Sequence, residues 1–144
     1  MMTLDLAPQA TAAHWSARYV GQLWSEHFNC WRLVQDVQRH VFSVRLPDLP
    51  VGTTDDQTAA ILVVTQGWRR VHGDVLQVAA EGDVITMLCD IGPHVGVMVG
   101  RDHVLHNVGG KRDDGVVWGC VRIDDVAELG RLSYGHLRLW RLAR

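Results

Sequence analysis

Apolar residues recur at spacings of three and four from Thr11 to Trp24, at Ala12, Trp15, Tyr19, Val20 and Leu23, which predicts an amphipathic helix behind a loose lead-in over residues 1–9. A second stripe joins Leu33, Val34, Val37 and Val41, with Arg32, Gln35, Gln38 and Arg39 facing outward. Asn29 is suited to cap this helix, which places Cys30 in its first turn. The two prolines in Leu46-Pro47-Asp48-Leu49-Pro50-Val51-Gly52 bias their neighbours toward extended geometry, so this stretch reads as a connector. Thr54 or Asp55 can start a third helix reaching about Arg70, with Ala59, Ala60, Val63, Val64 and Trp68 inward, although the run from Ile61 to Thr65 is rich in β-branched residues.

After Gly82 the pattern changes to short segments rich in valine and isoleucine, separated by glycine or charged pairs. These predict strands near Asp83–Cys89, Val95–Val99, Val104–Asn107, Val116–Ile123 and Leu137–Leu142. Turns at Gly100-Arg101-Asp102 and across Gly109 to Gly115 suit hairpins, so the second half reads as an antiparallel meander. Helices followed by strands imply an α+β fold.

A chain of 144 residues, 47% of them hydrophobic, can bury one core, so residues 1–144 read as a single domain. A formal net charge of -2 gives no bulk electrostatic reason to bind nucleic acid or an anionic membrane. The longest apolar run, Ala59 to Thr65, is too short to span a bilayer, and the N-terminus has neither a basic nor an apolar export region. Three cysteines, an odd number, argue against a disulfide framework and for a free thiol made in a reducing compartment.

The chemistry centres on that thiol. In the opening turn of a helix Cys30 would feel the positive end of the macrodipole, and its own backbone N–H would be free to bind an oxyanion. A small buried hydrophobe packing the helix is the plainer alternative. His94 opens a glycine-spaced strand, where a ring of near-neutral pKa suits a general base, and His106 on the next strand folds back beside it to orient the ring. A one-residue slip in register would offer Asn107 instead. Cys89 and Cys120 alternate with apolar residues inside predicted strands and read as core packing. No Cys-x-x-Cys or His-Glu-x-x-His spacing supports a zinc site.

These residues carry a family resemblance from about Trp15 to Asn107. Gly82-Asp83-Val84, His94-Val95-Gly96-Val97-Met98-Val99-Gly100 and Val104-Leu105-His106-Asn107 resemble, in order, the Gly-Asp-Leu/Val, His-Val-Gly-Ile-Tyr-Leu-Gly and hydrophobic-Ile-His-Ala motifs of the NlpC/p60 cysteine peptidases. Asn29-Cys30-Trp31-Arg32 keeps the cysteine of that family's Asp-Cys-Ser-Gly or Asp-Cys-Trp-Gly but lacks its aspartate and glycine, and Tyr19-Val20-Gly21 resembles Tyr-x-Gly-Gly without the second glycine. The resemblance implies a papain-like fold, with N-terminal helices packed on a C-terminal antiparallel sheet. It also implies a thiol peptidase with Cys30 as nucleophile, His94 as base and His106 as orienting residue, needing no metal or organic cofactor. Its substrate would be peptidoglycan peptide stems, cut at the γ-D-glutamyl to diamino-acid bond.

The segment Val44-Arg45-Leu46-Pro47-Asp48-Leu49-Pro50 after the cysteine helix is similar to versions found in tailed-phage tail-tip proteins. That likeness implies synthesis in the bacterial cytoplasm, work in the virion and tail-tip partners. Two rival expectations remain: a structural or assembly module of the tail tip with little or no activity, and a papain-like acyltransferase or amidase using the same three residues.

Overall fold

The computed structural model describes residues 14–49, 57, 58, 62 and 67–142. Six strands, β1 (Trp68–Val71), β2 (Val84–Cys89), β3 (Gly92–Val99), β4 (His103–Lys111), β5 (Val117–Asp125) and β6 (Gly135–Leu142), form one antiparallel sheet in the order β1-β6-β2-β3-β4-β5. Strands β2 to β5 make the expected meander, while β6 returns to insert between β1 and β2. The helix α1 (Cys30–Phe42) lies against this sheet, and a single turn, α2 (Val75–Val78), follows β1. The architecture is α+β. No helix among the described residues is long and apolar enough to cross a membrane.

Alternation along the strands divides the core in two. On one face Val84, Val95, Val97, Leu105, Val121 and Trp140 pack against Trp31, Leu33, Val34 and Val37 of α1. On the other, Ile85, Met87, Met98, Val104 and Leu139 pack with Val126 and Leu129 from the segment between β5 and β6. At about 25 cal/mol per Å² of apolar surface, each fully buried Val or Leu contributes roughly 1.5–3 kcal/mol, so the two faces together carry the fold.

Helix α1 starts where the sequence predicts. The Asn29 side chain accepts the Arg32 N–H at 3.0 Å, and the Leu33 N–H closes the first helical bond onto Asn29 O at 3.1 Å. The helix ends at Ser43 in the left-handed conformation. Gln38, buried on its inner side, donates to Gly82 O at 2.9 Å and so ties α1 to the start of β2. Asp83, 2% exposed, accepts both Arg141 Nε and an Arg141 terminal nitrogen at 2.7 Å and the Ala80 N–H at 2.9 Å. The Gly-Asp-Val motif is therefore where the turn before β2 is locked to β6.

Three expectations are corrected. The Thr11–Trp24 stripe does not form a long helix within its described part. Only Trp15–Arg18 make a 3-10 turn, and residues 21–24 run along β5, with Gly21 N–H on Val121 O, Val121 N–H on Gln22 O and Trp24 N–H on Gly119 O. That arrangement covers the outer edge of β5, an edge that would otherwise leave backbone groups unpaired. The third helix does not reach Arg70, because Trp68, Arg69 and Arg70 are in β1, paired with Leu142, Arg141 and Trp140. Gln57, Thr58 and Leu62 are helical, and the rest of that expected helix, from residue 54 to 66, lies outside the described residues. Finally, Gly109 and Gly110 belong to β4 rather than to a turn. A Cβ at Gly109 would meet the Trp118 carbonyl of β5 first and then Trp24 at 2.6 Å, so the glycine is there for the close passage of β5 and of that side chain.

Candidate functional site

The three residues that the sequence singles out come from α1, β3 and β4. Cys30 is the first residue of α1. With the Arg32 and Leu33 N–H groups occupied, the N–H groups of Cys30 and Trp31 are the first-turn donors left over, and both favour the thiolate of Cys30. The Val95 N–H of β3 also works to lower the thiol pKa. Val95 lies just beyond the point where the β3–β4 ladder stops, at Gly96↔His106.

His94 and His106 sit on the face of the sheet turned away from α1. His94 is across from Met87 in β2, and it shares a face with Met98, as His106 does with Val104. His106 is opposite Gly96, two residues along from His94, and the rings reach diagonally to a 2.9 Å contact between His94 Nε2 and His106 Nδ1. A Cβ at residue 96 would lie 3.1 Å from His106 Cβ and 2.8 Å from Leu105 O, so glycine clears the space between them. Asn107 points to the α1 face instead, where its amide donates to Phe28 O at 2.7 Å just ahead of the cysteine helix. His106, not Asn107, is thus the neighbour of His94.

The chain of contacts continues to a residue that the sequence reading passed over. His106 Nε2 is 2.7 Å from Asp124 Oδ2, and the other carboxylate oxygen accepts Arg122 at 2.8 Å. The strand expected to end at Ile123 runs on through Asp124 and Asp125, which puts Arg122 and Asp124 on one face beside His106. The signal was local: an Arg-x-Asp spacing on a strand. Tyr134 completes the enclosure, stacked on His94 with ring centres 5.0 Å apart and edge-on to His106 at 5.6 Å.

Burial dominates the electrostatics. It pushes the Cys30 thiol up to about 11, against the opposing pull of the Val95, Trp31 and Cys30 N–H groups. The expected activation at a helix start is thereby outweighed, and the resting sulfur is a neutral thiol. His94 is pushed down to about 3, first by burial and then by the repulsion it would meet from a protonated His106. His106 is also lowered by burial, with Asp124 working the other way. Burial would raise Asp124, but hydrogen bonds from Arg122 and His106 outweigh it and hold the carboxylate ionised. Among the described residues no hydrogen bond joins the Cys30 sulfur to either imidazole.

Tyr19 does not join this group. It is buried at 2% exposed in the α1-side core, edge-on to Trp15, with its hydroxyl near Arg18. Cys89 donates its thiol to Gly92 O at 3.4 Å at the end of β2, and Cys120 is half-buried in β5. No cluster of three metal-ligating side chains occurs among the described residues. No protein-family model matches the chain, and no curated protein does.

Proposed function

We propose that the protein is a papain-like thiol hydrolase of the NlpC/p60 type that cleaves peptidoglycan peptide stems, and that it works as part of a tailed-phage tail tip. The observation that carries this reading is the ordered contact His94–His106–Asp124, the arrangement in which a base is held by a neighbour, with Cys30 at the start of α1 as the nucleophile that the motif resemblance assigns. The substrate and the virion setting come from the motif resemblance.

In the reaction, His94 takes the Cys30 proton as the sulfur attacks the amide carbonyl. The leaving amine departs with that proton, which breaks the C–N bond and leaves a thioester. Water, deprotonated by His94, then cleaves the thioester to the carboxylic acid and restores the thiol. The Cys30 and Trp31 N–H groups are the donors available to the oxyanion. The test is release of muropeptides from purified peptidoglycan, with an acyl adduct trapped on Cys30 by mass spectrometry. A Cys30→Ala protein that still releases product overturns the mechanism.

One observation favours the second reading, a tail-tip module of little or no activity: the thiol is partly buried and neutral, with Tyr134 over the base. Fully infectious particles carrying Cys30→Ala would decide for it.

A further inference from the structure

The imidazole pair is directional, and the direction is set outside it. A carboxylate can only accept a hydrogen bond, so the 2.7 Å contact with Asp124 requires the proton of His106 to be on Nε2. Burial keeps His106 neutral, and a neutral imidazole carries one proton, so its Nδ1 is a bare lone pair. His94 Nε2, 2.9 Å away, must then be the donor. That leaves His94 Nδ1 without a proton, and among the described residues it has no hydrogen-bond partner.

We propose that Asp124 is a positioning residue: by accepting the His106 Nε2 proton it fixes the tautomers of both imidazoles and leaves His94 Nδ1 as the basic nitrogen. Arg122 assists by holding the second carboxylate oxygen at 2.8 Å, which keeps Asp124 from turning away. Without Asp124 the pair can reverse. His106 Nδ1–H would donate to His94 Nε2, and His94 would present a proton at Nδ1, where a thiol needs an acceptor. The use of that nitrogen by Cys30 rests on the thiol-hydrolase reading, whereas the tautomers do not.

The two parts are separable by experiment on the full chain with ¹⁵N-labelled histidine. Long-range ¹H–¹⁵N spectra of the unaltered protein should show His94 and His106 both protonated at Nε2, and Asp124→Asn and Asp124→Ala should bring in the reversed tautomer. In muropeptide release, kcat should fall roughly 10²–10⁴-fold, as for the loss of an orienting carboxylate, with KM little changed. Arg122→Gln, which keeps the carboxylate, should retain the tautomers in the larger population. Should Asp124→Ala fail to fold, the near-isosteric Asn variant decides. Unchanged tautomers in the Asn variant overturn the proposal whether or not the protein cleaves peptides, and reversed tautomers with unchanged kcat overturn its link to the base. Absence of hydrolysis by the unaltered protein sinks the proposed function alone, since the spectra still decide the role of Asp124.

Discussion

His106 stands across the ladder from Gly96, not from His94, and the two imidazoles meet because residue 96 has no side chain. A methyl group there would sit 2.7 Å from Val104 Cγ2 and 2.8 Å from the Leu105 carbonyl, contacts that only a shift of β4 can relieve. Gly96→Ala should therefore cost about 1–3 kcal/mol in urea unfolding, in the manner of overpacking, and should weaken the His94–His106 contact. Histidine ring signals in the variant report the second effect directly. A variant as stable as the parent, with unaltered rings, refutes the account.

Iodoacetamide should discriminate between an activated and a neutral thiol. With a pKa near 11, the thiolate fraction of Cys30 rises about tenfold per pH unit through the neutral range, so its labelling rate should climb steeply from pH 7 to pH 10. In the resting protein Cys30 should also label no faster than Cys89 or Cys120. A rate already level by pH 8 would mean that the helix start activates the sulfur after all.

What could be read in the chain beforehand follows how local its physical cause is. Helix α1 was legible because one stripe, Leu33 to Val41, and one cap, Asn29, specify it within thirteen residues. The hairpin of β3 and β4 was legible because valine runs flank a glycine turn, and strand alternation then brought His94 and His106 to one face. Trp15 and Tyr19 misled because their spacing serves a core contact, while the next residues hydrogen-bond along β5, a partner a hundred positions away. Strand β1 failed for the same reason: Trp68 to Val71 are strand only because Leu139 to Leu142 lie beside them. The burial that silences the Cys30 thiol depends on β3 closing over α1, and no local pattern announces it.

Acid should destabilise the protein before its carboxylates titrate. His94 and His106 are both lowered in the folded state, so the unfolded chain, with histidines near 6.5, binds more protons below that pH. Stability is full above pH 6.5 and declines as the pH falls toward about 3. Asp124 and Glu81, whose carboxyls are lowered, add their losses only below about pH 4.5. The melting temperature should thus fall between pH 6.5 and pH 5, and His94→Gln should flatten that slope. An equal slope in the variant places the effect elsewhere.

Asp83 and Arg141 hold the turn before β2 to β6 through two 2.7 Å bonds, with Asp83 nearly inaccessible and Arg141 about a third exposed. Asp83→Ala strips the guanidinium of both carboxylate acceptors, leaving it Val78 O alone, and leaves the Ala80 N–H unpaired, which should cost about 3 kcal/mol, the lower end for a broken buried pair. Asp83→Asn should cost less, because one oxygen remains. Chemical denaturation of both variants checks the order, and equal stabilities contradict it.

Tyr134 is the group best placed to control access to the imidazoles. Its ring covers His94 at 5.0 Å, and it lies in a loop between Ser133 and the start of β6, where Ser133 and His136 both adopt positive φ, 69° and 57°. Non-glycine residues in that region cost on the order of 1 kcal/mol each, so the loop keeps its shape only while the ring remains packed. Tyr134→Ala should lower stability by about 2 kcal/mol, less than a full core truncation because the side chain is half-buried. It should also admit water to His94, whose depression comes first from burial, and return that ring toward its ordinary pKa. Cys30 should then label faster at a given pH, as its own desolvation is relieved. An NMR titration of His94 beside the labelling rate of Cys30 measures both. If neither moves, the enclosure comes from the sheet and α1, and Tyr134 is packing alone.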